Sequence, residues 1–189
     1  ITTGGGHLFI GKNAGDGFDT ENYNMGIGSN ALGGSVAGGE YNIAIGVNTL
    51  DALTSADYNV AIGYEAGTDI TTGTGNTLLG SQAGKELTTG DGNVLVGYRA
   101  GFDDPITGDA NTGIGNFALY NLTSGSNNIS LGYNSGVALT TGGNNTIVGY
   151  NAGNGITDDT NNVFVGYRAA EGCTDVSNVV IGADAARQG

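Results

Sequence analysis

Few side chains in this sequence are of the kinds that do chemistry. The one histidine, His7, and the one cysteine, Cys173, stand near opposite ends of 189 residues. A lone imidazole and a lone thiol make neither a nucleophilic pair nor a zinc site, and His7 reads as a cap or turn residue. Cys173 has no intrachain disulfide partner, and it occupies a position where other segments carry leucine or isoleucine, so a small buried hydrophobe is expected there. The Gly-rich turns lack the Gly-Lys-Ser/Thr ending of a phosphate loop. No catalytic residue, cofactor site or transition-metal site is assigned, and the chain is read as non-enzymatic.

Three weaker chemistries are carried by turns and columns. Acids gather at Asp91, Asp103-Asp104, Asp109 and Asp158-Asp159 without EF-hand or nonapeptide calcium spacing. Solvated turn acids are the reading, with a structural calcium ion as the alternative. Threonines recur as Thr54, Thr71, Thr88, Thr123, Thr140 and Thr157, which raises ice binding as a remote alternative. Flat ice-binding arrays need two outward threonines separated by one residue, and here the pairs are adjacent. Tyr64, Tyr98, Tyr133, Tyr150 and Tyr167 form a partial column, with Arg99 and Arg168 beside two of them. They are the glycan-contact candidates, because an exposed aromatic ring can pack against a sugar; packing against neighbouring segments is the competing reading.

What positions these residues is a repeat. An aliphatic residue followed by glycine recurs at Gly11, Gly28, Gly46, Gly63, Gly80, Gly97, Gly115, Gly132, Gly149, Gly166 and Gly182, at spacings of 16 to 18 residues. So short a period over the whole chain means stacked rungs, not a domain folded around one central core. Glycine contributes 38 residues and proline one, which excludes collagen, and 38% hydrophobic residues at fixed positions exclude disorder. The net charge of −13 argues against nucleic acid or an anionic membrane as a partner. No apolar run is long enough to span a bilayer. Residues 1–189 read as one repeat domain, and the opening at Ile1 within repeat-like sequence reads as a piece of a longer fibre protein.

With the marker glycine at position zero, position −4 is Asn24, Asn42, Asn59, Asn76, Asn93, Asn111, Asn128, Asn145, Asn162 and Asn178, with His7 in the first rung. Asparagine suits a corner, and stacked copies lie close enough for amide-to-amide bonding. A structural column is expected. Positions −3 to −1 form the clearest strand, in which −3 and −1 share one face and −2 the other. Taking −3 and −1 as the inner face leaves −2 pointing outward. Phe9, Ala44, Ala61, Leu78, Leu95, Ile147, Phe164 and Val180 then form an outward apolar column that needs covering, and they are the subunit-interface candidates. The simplest cover is the same column of an identical chain.

A small residue returns at +3, glycine or leucine at +4, and an apolar residue at +7, as in Phe18, Leu53, Ile70 and Leu87; in the two longer rungs the last moves one place on, to Val36 and Ile106. The period excludes helix, and each rung is strand, tight turn, short extended piece and Gly-rich turn. The fold expected is all-β: a parallel β-solenoid or β-roll of about eleven 17-residue coils, assembled side by side. Ile62-Gly63-Tyr64-Glu65-Ala66 also matches one hexad of the left-handed hexapeptide acyltransferases, but the aliphatic mark does not recur every six residues.

The rungs Asn59-Val60-Ala61-Ile62-Gly63-Tyr64-Glu65-Ala66-Gly67 and Asn145-Thr146-Ile147-Val148-Gly149-Tyr150-Asn151-Ala152-Gly153 resemble the repeats of phage tail fibres and bacterial surface fibres, and are similar to the head repeats of trimeric autotransporter adhesins. The resemblance covers essentially the whole chain. It implies a homotrimeric parallel β-roll, located outside the cell or on the virion or cell surface. The implied role is a stiff rod that spaces or presents a receptor-binding tip in host recognition or cell adhesion. Its implied partners are identical subunits and a host-surface glycan or protein, and the alternative role is a glycan- or matrix-binding module along the rod.

Overall fold

The computed structural model of the chain describes residues 5–17, 21–34, 38–172 and 177–186. Its regular elements are short strands at Leu8–Ile10 (β1), Met25–Ile27 (β2), Ile43–Ile45 (β3), Val60–Ile62 (β4), Thr77–Leu79 (β5), Val94–Val96 (β6), Thr112–Ile114 (β7), Ile129–Leu131 (β8), Thr146–Val148 (β9), Val163–Val165 (β10) and Val179–Ile181 (β11). They form one 11-stranded sheet in sequence order, and every neighbouring pair is parallel and in register, as in Ala61 opposite Leu78. A chain that lays down one strand per ~17 residues in this way is a β-solenoid of about 10 turns. No helix among the described residues is long and apolar enough to cross a membrane.

The marker glycines end the strands, with φ between +131° and +143°. A side chain would be strained there, and it would also strike the next rung: a Cβ on Gly132 would lie 2.6 Å from the carbonyl oxygen of Gly149. Two left-handed residues follow, at +2 and +4. Asparagine fills +2 in Asn13, Asn30, Asn48, Asn134 and Asn151, as its tolerance of that region predicts.

The strand faces are the reverse of the sequence expectation. Ala44, Ala61, Leu78, Leu95 and Ile147 have no exposed surface and Phe164 only 1%, while Phe9 and Val180 pack partly buried against the same core. The −2 column is therefore the inside of the coil, and these residues are not subunit-interface candidates. The outward face is the pair of columns at −3 and −1, where Ile10, Leu79 and Ile114 are 55%, 46% and 42% exposed. The reason lies at −4. The buried asparagine has the same strand parity as −2, so the alternation carries −2 inward with it.

Inside, the rungs trade volume between −2 and +4. Rungs with Leu32, Leu50 or Leu119 at +4 have Gly26, Ala44 or Gly113 at −2, and rungs with Leu78 or Leu95 at −2 have Gly84 or Gly101 at +4. Two rungs are small at both places, and their neighbours fill them: a Cβ on Gly67 would meet Leu78 at 2.6 Å and Leu50 at 2.9 Å. The small +3 residues, such as Ala66, Ala83 and Ala100, are buried, as are Leu53, Ile70, Leu87 and Ile106. Phe18, Val36 and Cys173 lie outside the described residues.

Candidate functional site

The asparagine column is a continuous buried ladder. Asn93 takes three roles at once: its amide donates to Asn76 Oδ1 at 3.2 Å and to the Gly108 carbonyl at 3.0 Å, and its Oδ1 accepts both the backbone N–H and the amide of Asn111, at 2.9 and 3.0 Å. The pattern runs from Asn24 and Asn42 through Asn59, Asn76, Asn111, Asn128 and Asn145 to Asn162. At the last rung the Asn178 backbone N–H donates to Asn162 Oδ1 at 2.8 Å. From Asn42 to Asn145 the amide and oxygen of each side chain serve the two neighbouring rungs and the same rung's turn, so this stretch of the column holds the coil closed and is occupied by its own bonding. His7 continues it by other means. Its Nδ1 accepts the Asn24 N–H at 3.3 Å and its Nε2 lies 2.8 Å from the Glu21 carbonyl, which places the proton on Nε2.

Acids and threonines make two further ladders that the sequence reading did not separate from solvated turn residues. At −6, Asp57 accepts the Glu40 backbone N–H at 2.7 Å, Asp91 that of Thr74 at 2.7 Å, and Asp109 that of Asp91 at 2.8 Å. Thr54, Thr71, Thr123 and Thr140 each donate a hydroxyl to the carbonyl one rung on, at Thr71, Thr88, Thr140 and Thr157. Both columns thus close backbone groups of the turns. Among the described residues, no three of His, Cys, Asp and Glu gather as a metal site.

The tyrosines divide. Tyr133, Tyr150 and Tyr167 stack with centroids 5.4 Å apart and planes within 10° to 12°, so their faces are turned toward one another and their edges outward. A sugar cannot lie flat on a ring whose face a neighbour occupies. Tyr64 stands apart, beside Glu65, whose hydrogen bond and negative charge push the phenol pKa up. Tyr98 has the Arg99 guanidinium over its ring at 5.1 Å and Phe117 edge-on at 5.4 Å. A further column, Tyr23, Tyr41 and Tyr58 at −5, stacks at 5.3 and 5.1 Å. It is legible as a spacing of 18 and 17 but falls one residue before the asparagines.

The other arrangement missed is a break in two polar columns. Position +2 is Asn, Glu, Gln, Arg or Asp in every rung but one, where it is Phe117. Position +5 becomes aromatic or aliphatic in three consecutive rungs, at Phe102, Tyr120 and Val137. Phe117 touches Tyr98, Tyr120 and Tyr133, and Phe102 touches Tyr120 and lies under Arg99 at 4.5 Å.

A further chemically distinct surface is the outward face of the sheet. From Tyr23 onward, positions −5 to +1 hold no charged residue in any rung, and all 18 acids of the chain lie outside that segment. A strongly acidic molecule thus keeps one face, lined by the aliphatic −3 and −1 columns, free of charge from β2 to β11. Comparison with protein-family models, with characterised proteins and with solved structures finds no match.

Proposed function

We propose that the chain is a structural fibre segment: a stiff solenoid rod that packs side by side with identical copies and spaces or presents a receptor-binding element outside a cell or virion. The observation that carries this is the uncharged face at −3 and −1. Two unbroken columns of mostly aliphatic side chains, on a sheet only three residues wide, are too apolar to be left in water along ~50 Å of rod. A copy of the same chain covers them with a face of the same length and the same rung spacing, so that every aliphatic residue meets another. The acids sit on the remaining sides, where like charges of neighbouring subunits stay in solvent.

The resemblance of the rungs to those of trimeric fibres sets the number at three. Light scattering at low micromolar concentration tests the proposal: a mass three times 18.8 kDa is expected, and a stable monomer overturns it.

A further inference from the structure

We infer that the break in the repeat at Phe117 is a binding site for a pyranose ring. Between successive rungs, Phe117, Tyr120, Tyr133, Asn134 and Val137 line an open surface pocket of about 230 Å³. Three observations single it out. First, Phe117 puts a large apolar ring at a left-handed position (φ +59°) that is polar in every other rung. Second, Phe117 meets Tyr98 and Tyr133 at 84° and 85°, so the parallel stacking that runs from Tyr167 through Tyr150 to Tyr133 stops here, at two of the rings that line the pocket.

Third, the asparagine ladder at +2 is diverted. Asn13 donates its amide to Asn30 Oδ1 at 3.0 Å and Asn30 to Asn48 Oδ1 at 2.9 Å, but the equivalent bond from Asn134 to Asn151 is absent, and Asn151 Oδ1 is buried without a partner. A buried orphan acceptor in so regular a stack needs a cause. Asn134, whose amide would satisfy it by the pattern of the first rungs, is one of the residues that line the pocket.

Phe117, Tyr120, Tyr133 and Asn134 around one opening combine aromatic surface with phenol and amide groups, which suits a pyranose, whose C–H face is apolar and whose rim carries hydroxyls. The other common guest of an aromatic box is a quaternary ammonium. It is disfavoured by charge, because Arg99 and Lys85 lie over Phe102 at 4.5 and 5.7 Å, and Phe102 abuts Tyr120. The site lies at +1, +2 and +5, outside the −3 and −1 columns, and it deepens the external-fibre reading without depending on subunit number.

The test is an oligosaccharide array probed with the 189-residue chain, with Phe117→Asn and with Tyr167→Ser, alongside phosphocholine as a soluble competitor. Asparagine is what +2 carries in five other rungs, so Phe117→Asn is expected to fold, and the melting temperature of each variant, measured beside the array, separates lost binding from unfolding. The expected result is retention of one or more pyranose-bearing glycans, reduced at least tenfold by Phe117→Asn and unchanged by Tyr167→Ser and by phosphocholine. The inference is overturned if no glycan is retained, if Phe117→Asn binds as well as the parent, or if phosphocholine is the ligand. Light scattering reads the assembly separately, so either result stands whatever the other shows.

Discussion

Leu119 fills the space that Gly113 leaves. The two belong to one rung, and a Cβ on Gly113 would lie 3.3 Å from Leu119 Cδ1 and 3.1 Å from Leu95 Cδ2. Elsewhere the same volume is supplied from the opposite side, by Leu78 against Gly84, so the coil fixes a sum and not a residue. Leu119→Gly alone is expected to open a cavity and cost about 2–4 kcal/mol, offset by about 1 kcal/mol because Leu119 sits at φ +52°. Gly113→Leu alone overpacks. The double variant reproduces the arrangement of Leu78 and Gly84 and should regain most of the lost stability, which a double-mutant cycle of urea melts would measure.

That exchange explains what the sequence did and did not disclose. Period, strand position, parallel order and the asparagine column follow directly from the spacing of residues such as Asn93 and Gly97. The inward face did not, because both parities of Val94-Leu95-Val96 are apolar, and alternation tells only which residues share a side. The deciding signals were in the sequence but off the strand: asparagine at −4 shares the parity of −2, and the size of −2 varies inversely with that of +4. A residue exposed to solvent or to a partner has no reason to vary with a corner residue of its own rung. The aromatic break at Phe117 was equally legible, but only once the polar rule at +2 had been stated.

The asparagine ladder predicts a strong position dependence. Asn93→Ala removes four hydrogen bonds and leaves the Asn111 backbone N–H and the Gly108 carbonyl buried without partners. At about 1–3 kcal/mol for each unsatisfied group, a loss of about 3–5 kcal/mol is expected. His7→Asn at the first rung runs the other way: it restores the ladder geometry, and an unchanged or higher melting temperature is expected by calorimetry.

Gly132→Ala addresses the corner. The φ of +137° and the 2.6 Å approach to the Gly149 carbonyl oxygen leave no room for a methyl group, because the obstacle is backbone and cannot turn aside. The spacing between two rungs has to open, which breaks the sheet between β8 and β9. Hydrogen exchange should show protection lost around that boundary, with a stability loss of more than about 3 kcal/mol. Ordinary protection on both sides of residue 132 would refute the account of the marker.

Acid sensitivity has a local source in Glu65. A hydrogen bond from Gln82 at 2.9 Å is the main cause that holds its carboxyl below the ordinary range, with the Tyr64 hydroxyl and the Lys85 ammonium at 3.7 Å adding to it against a smaller effect of burial. A folded-state value below the unfolded one means the ionised form stabilises the fold. That contribution is present above about pH 4.5 and is lost as the pH falls through the lower folded value. Glu65→Gln should therefore flatten the fall in melting temperature below pH 5. Glu86 has the opposite sign, since burial raises its pKa, and Glu86→Gln should gain stability at neutral pH relative to acid.

Adjacent residues on β6 separate folding from assembly. Leu95 is wholly buried, and a charge there has no partner and no water, so Leu95→Glu should abolish cooperative folding of the middle rungs. Val96 is one residue on and faces outward in the uncharged column, so Val96→Glu should leave the circular dichroism of the coil intact. In the proposed trimer the same carboxylates would be brought together on an apolar interface, and light scattering should then report the 18.8 kDa subunit in place of the assembly. An assembly that survives Val96→Glu with its mass unchanged would move the contact to another side of the rod. If Val96→Glu unfolded the chain while Leu95→Glu did not, the assignment of the two faces would be wrong.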